Sequence, residues 1–233
     1  MIGRLLPTVV ADPAALADAA AAWTAERLTQ AVADRGAGYI ALAGGGTPRG
    51  CYQRLAQLPY QESLPWDRLF VYWSDERQVP LDDPESNFCM AKTALLDRVP
   101  IPPQQIFPLV GNPQADLERV PRDDAGRPRF DLIHLGLGED GHTASLFPGD
   151  PALEEQRAWV AAVRASKPPP QRLTMTFPVL NAARAVLFLV SGAGKRQPLR
   201  GLLDRDPRLP ASRVQPVDGE LQLIADRSAL PNS

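Results

Sequence analysis

The feature that most constrains this chain is a repeated junction, in which a short apolar run stops abruptly at glycines or charges. YIALA (39–43) stops at Gly44-Gly45-Gly46-Thr47-Pro48, and LFVYW (69–73) at Ser74-Asp75-Glu76-Arg77. DLIHLGL (131–137) runs into Gly138-Glu139-Asp140-Gly141-His142, and AVLFLVS (185–191) into Gly192-Ala193-Gly194-Lys195. Runs that are apolar throughout, without alternation, belong to strands covered on both faces. QIFPL around 105–109, WVAAVRA at 159–165 and LQLIAD at 221–226 read as further strands.

Helical stretches separate these runs. The clearest spans 12–36: Asp12 can cap it, Pro13 suits its first turn and Gly36 its end. Leu16, Ala20, Trp23, Leu28 and Val32 recur at helical spacing and form one packing face. A short helix follows the glycines through Tyr52 and Leu55, another covers 86–96 behind Ser86 or Asn87, a turn or two lies at 113–120, and 194–203 is helical despite Pro198. Strands joined by helical crossovers imply an α/β fold: an open, mainly parallel, Rossmann-like sheet with helices on both faces. No linker or internal repeat divides the chain, so 1–233 reads as a single domain.

Composition excludes several classes. With 44% hydrophobic and 22% charged residues the chain is ordinary globular material rather than disordered. The 25 prolines and 17 glycines have no fixed period, which excludes collagen and predicts long loops. A net charge of −2 offers no global attraction to nucleic acid or an anionic membrane, and neither partner is expected. No apolar run is long enough to span a bilayer, and MIGRLLPTVVADP reads as a first strand, not a signal peptide. Cys51 and Cys89 are expected as free thiols in a reducing compartment, the cytoplasm.

In open α/β sheets, ligands bind beyond the carboxyl ends of the strands, so the junction loops hold the candidate chemistry. Gly44-Gly45-Gly46-Thr47 before a helix reads either as a phosphate nest or as a tight turn; it lacks the spacing and lysine of a P-loop. Asp75, Glu76 and Arg77, directly after a buried strand, demand partners, and Arg77 offers a planar fork for phosphate or carboxylate. Gly136 to Gly141 satisfies G-x-G-x-x-G, but Pro148 and Gly149 interrupt the helix that a dinucleotide fingerprint requires. The segment offers instead His142 beside Asp140, a proton acceptor near neutral pH with a carboxylate to fix its tautomer. The other histidine, His134, lies inside a strand and reads as a packed residue, and no compact zinc-ligand set exists. Arg172 and Lys195 add basic groups, and no G-x-S-x-G supports a serine nucleophile.

Five segments, GGGTPRGCYQRLA (44–56), SDERQVPLDDPESNF (74–88), DLIHLGLGEDGHTASLFPG (131–149), RLTMTFPVLNAA (172–183) and FLVSGAGK (188–195), resemble in order those of the 6-phosphogluconolactonases. That family belongs to a wider group with the glucosamine-6-phosphate deaminases, whose resemblance stops after the glycine-aspartate-glycine-histidine portion. The resemblance implies hydrolysis of 6-phospho-D-glucono-1,5-lactone to 6-phosphogluconate, in the oxidative pentose phosphate pathway, without metal or organic cofactor. It implies His142 as general base with Asp140 and Asp75 as active-site carboxylates. Thr47, Arg77, Arg172 and Lys195 are implied around the substrate, chiefly its phosphate, and Gly45 and Gly46 of the glycine turn are expected to join them. Asp83 stands where the family often has histidine, and it is given no role. Which carboxylate orients His142 stays open, and a monomer is favoured over a homodimer. A deaminase-like isomerase and a non-catalytic sugar-phosphate-binding module are the alternative functions.

Overall fold

The computed structural model describes residues 5–231. Its strands are β1 (Thr8–Val10), β2 (Gly38–Leu42), β3 (Leu69–Trp73), β4 (Asp75–Arg77), β5 (Leu132–Gly136), β6 (Val160–Arg164), β7 (Gln171–Met175), β8 (Ala185–Val190) and β9 (Glu220–Asp226). Its helices are α1 (Pro13–Arg35), α2 (Gly46–Leu55), α3 (Tyr60–Ser63), α4 (Asn87–Ala94), α5 (Pro113–Leu117), α6 (Phe177–Leu180) and α7 (Arg196–Leu203). The first strand expected from 1–13 is β1; residues 1–4 of that stretch lie outside the described residues.

Six strands form one parallel sheet in the order β1-β9-β8-β5-β2-β3. The α/β class follows from how these strands are buried. Along β5 and β8 successive side chains enter opposite apolar clusters: Leu132, Leu187 and Leu189 face α1, α2 and α4, while Ile133, Leu135, Val186 and Phe188 face α6 and α7. Both faces are covered, which is why the sequence shows continuous apolar runs.

Local chemistry sets the helix ends. The Asp12 carboxylate accepts from Ala15 N–H at 2.9 Å, and Gly36, at φ 77, returns its N–H to the Val32 carbonyl at 2.8 Å. Gly36 stands where the left-handed conformation would strain any residue with a Cβ. Pro198 falls in the first turn of α7, where its missing N–H costs little.

Two expectations fail. QIFPL forms no ladder: Pro103–Gln105 is a turn of 3₁₀ helix, and Ile106 makes only an isolated bridge to Val71. WVAAVRA supplies β6, but this strand joins a second, antiparallel sheet of order β4-β7-β6 rather than the main one. Neither β4 nor β7 was expected as a strand. β4 consists of three charged residues, and β7 (QRLTM) mixes polar and apolar residues after a proline run.

The chain leaves β2 for β3 in one direction along the main sheet and leaves β5 for β8 in the other. The loops after the adjacent strands β2 and β5 therefore diverge, and a crevice opens at this switch in strand order.

Candidate active site

A cleft of about 260 Å³ occupies that crevice. Ala43, Gly44 and Gly45 after β2, and Gly136 to Glu139 at and beyond the end of β5, line it. Asp75 and Arg77 of β4, Arg172 of β7, Lys167, Lys195 and His142 line it as well.

The turn after β5 is built around His142. Gly138 N–H donates to the His142 carbonyl at 2.8 Å, and Gly141 N–H to the Gly138 carbonyl at 3.1 Å. Asp140 Oδ1 accepts from the His142 backbone N–H at 3.1 Å and meets ring Nδ1 at 2.5 Å. A Cβ at Gly138 would overlap the imidazole, so only glycine lets the ring fold back over the turn. Burial pushes the Asp140 carboxyl up, but the His142 backbone N–H, charge and ring N–H outweigh it and hold it below its ordinary value. An ionised carboxylate only accepts, so the proton of the neutral ring lies on Nδ1 and Nε2 is left with its lone pair. The Phe147 ring packs against the imidazole with centroids 4.7 Å apart, and the Arg172 guanidinium lies over the same phenyl ring at 5.6 Å.

Asp75 is held separately. It is nearly buried, and its Oδ2 accepts from Ser145 Oγ at 2.7 Å. Asn87 Nδ2 donates to the Asp75 carbonyl at 2.8 Å and to Oδ1 at 3.3 Å. The Asn87 amide also packs over Gly44 so closely that a Cβ there would collide with it. Asn87 thus ties the loop after β2 to β4. The carboxylate on the His142 ring is Asp140; Asp75 belongs to the Ser145 and Asn87 network.

Glu76, the middle residue of the charged triplet, points away from the cleft chemistry. Its buried carboxylate accepts from the backbone N–H groups of Arg77, Asn87 and Phe88, each at 2.7 Å, and from Ser86 Oγ at 3.0 Å. It anchors the start of α4 to β4, with the N-terminal end of the helix dipole favouring its charge. Burial pushes the Glu76 carboxyl up despite those four donors.

Pairing of β4 with β7 sets Arg77 directly opposite Arg172. Like charges facing across strands repel, and burial together with Arg77 pulls the Arg172 pKa below its usual value. Arg77 Nε is buried without a hydrogen-bond partner among the described residues, while Nη1 donates to the Glu85 carbonyl at 2.7 Å. Arg172 Nε donates to the Pro169 carbonyl at 3.1 Å, which steadies the proline loop that carries Lys167. Lys195 has no carboxylate partner among the described ion pairs. Four cations around one cleft, two of them held face to face, form a site suited to a multiply charged anion.

His142, Asp75, Gly45, Arg77, Arg172 and Lys195 therefore come together, with Asp140 behind His142. Gly46 and Thr47 fall in the first turn of α2, beyond the residues that line the cleft. Sequence reasoning missed Lys167, Asn87 and Ser145. Asn87 reads as a helix cap and Ser145 as one more polar residue; only the tertiary fold puts both on Asp75. No three His, Cys, Asp or Glu side chains converge as metal ligands among the described residues.

The family described as glucosamine-6-phosphate isomerases/6-phosphogluconolactonase matches residues 11–223. This chain belongs to that family. A 6-phosphogluconolactonase of Synechocystis sp. is 43% identical over 220 residues, covering 88% of this chain and 89% of its own. Among solved structures, the 6-phosphogluconolactonase of Trypanosoma brucei superimposes with a TM-score of 0.79 at 29% identity, covering 97% of this chain and 98% of its own. That of Thermotoga maritima gives 0.79 at 30% identity, covering 95% and 99%. The shared fold includes the six-stranded parallel sheet whose switch point forms the cleft.

Proposed function

We propose that this chain is a 6-phosphogluconolactonase, hydrolysing 6-phospho-D-glucono-1,5-lactone to 6-phosphogluconate in the pentose phosphate pathway. The observation that carries this reading is one cleft lined both by His142, whose ring is bound by Asp140, and by the four cations Arg77, Lys167, Arg172 and Lys195. The likeness to the Synechocystis lactonase supports the same reaction.

In this reading Arg77, Lys167, Arg172 and Lys195 receive the phosphate dianion, with the glycine backbone at Gly44 and Gly45 approaching closely, while Gly46 and Thr47, outside the cleft lining, serve by starting α2 behind that turn. Phosphate binding fixes the ring with C1 near His142, so remote binding energy serves the reaction by orientation. His142 Nε2 takes a proton from water as the water oxygen bonds to C1, giving a tetrahedral oxyanion. Collapse of the oxyanion breaks the bond from C1 to the ring oxygen. The leaving oxygen receives the proton from His142, and the product carboxylic acid then ionises. Asp140 keeps the imidazole in the tautomer that can accept. Asp75, held by Ser145 and Asn87, is positioned to accept from a sugar hydroxyl.

The reading treats 1–233 as one domain acting as a monomer. It calls on no nucleic acid, membrane or cofactor. No helix among the described residues is long and apolar enough to cross a membrane. Two free thiols, buried Cys51 and part-exposed Cys89, support a reducing compartment such as the cytoplasm.

The test is a comparison of two substrates with purified protein. Freshly made phosphogluconolactone should be hydrolysed with saturation, and glucosamine 6-phosphate should release no ammonia. The reverse pattern would make the chain a deaminase, and turnover of neither would leave it a binding module.

A further inference from the structure

Of the four cleft cations the last in sequence, Lys195, ends the short Ala193–Lys195 turn that follows β8. Ser191 and Gly192 leave β8, Gly192 adopts φ 100, and Lys195 N–H closes the turn on the Gly192 carbonyl at 3.0 Å. What fixes this loop is a residue at the end of a different strand. Asp226, the last residue of β9, is wholly buried. Its Oδ2 accepts from Ser191 Oγ at 2.5 Å, and its Oδ1 accepts from Gly192 N–H at 3.3 Å. Oδ1 also takes Ser228 Oγ at 2.7 Å and Ala229 N–H at 2.9 Å.

We infer that Asp226 is a positioning residue for substrate binding, acting through the Ser191–Gly192 turn to hold Lys195 at the anion end of the cleft. This rests on the reading of that end as the phosphate site. A buried carboxylate is tolerated only when its lone pairs are met, and here all four donors come from two loops. Capping of the short turn after β9 needs only Ser228 and Ala229. The two remaining bonds cross to the Lys195 loop, and a capping role does not call for them. Arg196 Nε, one residue past Lys195, adds a second tie by donating to the Ser228 carbonyl at 3.0 Å. Asp226 does not line the cleft and makes no ion pair with Lys195, so its influence travels through backbone geometry.

The experiment is steady-state hydrolysis of phosphogluconolactone by Asp226→Asn, Ser191→Ala, Lys195→Ala, and the two double variants that contain Lys195→Ala. Ser191→Ala removes one hydrogen bond at a part-exposed serine and serves where Asp226→Asn does not fold. The expected result is a KM raised about threefold or more in Asp226→Asn and Ser191→Ala, with kcat within about twofold of the parent. In the Lys195→Ala background the same changes should add less than about twofold, because their effect runs through the missing lysine. A raised KM in Lys195→Ala with an unchanged KM in Ser191→Ala and Asp226→Asn overturns this inference alone, as does full additivity in the double variants. An unchanged KM in Lys195→Ala overturns the phosphate-site reading and this inference with it.

Discussion

His142 folds back on its own turn so that its backbone N–H and its ring Nδ1 meet the same oxygen, Asp140 Oδ1, at 3.1 and 2.5 Å. One carboxylate thereby fixes the position and the tautomer of the imidazole. Replacing Asp140 with Asn puts an amide there that can donate as well as accept. The neutral ring is then no longer committed to carrying its proton on Nδ1. Asp140→Asn should lower kcat more than about tenfold with KM little changed. A fall in KM affinity with kcat intact would place Asp140 in binding instead.

The facing pair Arg77 and Arg172 predicts anion-dependent stability. Inorganic phosphate should raise the melting temperature of the parent protein, and Arg172→Ala should reduce that rise. Because Arg172 also bonds the Pro169 carbonyl, its loss should disturb Lys167 and raise KM more than Lys195→Ala does. Thermal shift against phosphate concentration, set beside the KM values, checks both statements.

Glu76 is expected to matter for stability before catalysis. Glu76→Ala leaves the buried Asn87 N–H and the part-buried N–H groups of Arg77 and Phe88 without their partner, at a cost of about 1–3 kcal/mol. Urea unfolding should show this loss. A stable Glu76→Ala protein with depressed kcat would contradict the anchoring role.

His134 supplies a pH dependence with a definite sign. Burial drives its pKa down to about 3 from an ordinary 6.5, and its Nε2 is paired with Thr24 Oγ1 at 2.9 Å while Nδ1 has no partner. The folded protein keeps this ring neutral while the unfolded chain protonates it below about pH 6.5. Its contribution is therefore fully present above pH 6.5 and is lost as pH falls toward 3, with a slope approaching about 1.4 kcal/mol per pH unit. Chemical unfolding at pH 7.5, 6.0 and 5.0 should show stability falling on acidification. A His134→Gln variant, less stable throughout, should show a shallower slope over the same range.

The strands of the main sheet were legible because burial on both faces leaves a plain mark: YIALA, LFVYW and AVLFLVS have no reason to be apolar throughout otherwise. The second sheet left no such mark. Asp75, Glu76 and Arg77 are strand residues whose charges read as a loop, and their partner QRLTM meets them only across about a hundred residues of chain. QIFPL has the composition of a strand but follows a 3₁₀ turn, which leaves it a single bridge. At the site, His142, Asp140 and the glycine turns were visible because their chemistry is local in sequence. Asn87, Ser145 and Asp226 were not, since each gains its place from a contact with a distant segment, and Lys167 was not, since only the fold brings its proline loop to the cleft.

The most direct test of the account is the rate at which His142→Ala hydrolyses phosphogluconolactone, followed by coupling the product to 6-phosphogluconate dehydrogenase and subtracting the unassisted rate. Parent protein should accelerate the reaction with saturation, and the folded variant should lose about 10²–10⁴-fold in kcat while keeping its KM within a few-fold. A folded His142→Ala protein with near-parental kcat would contradict the assignment of His142 as the base.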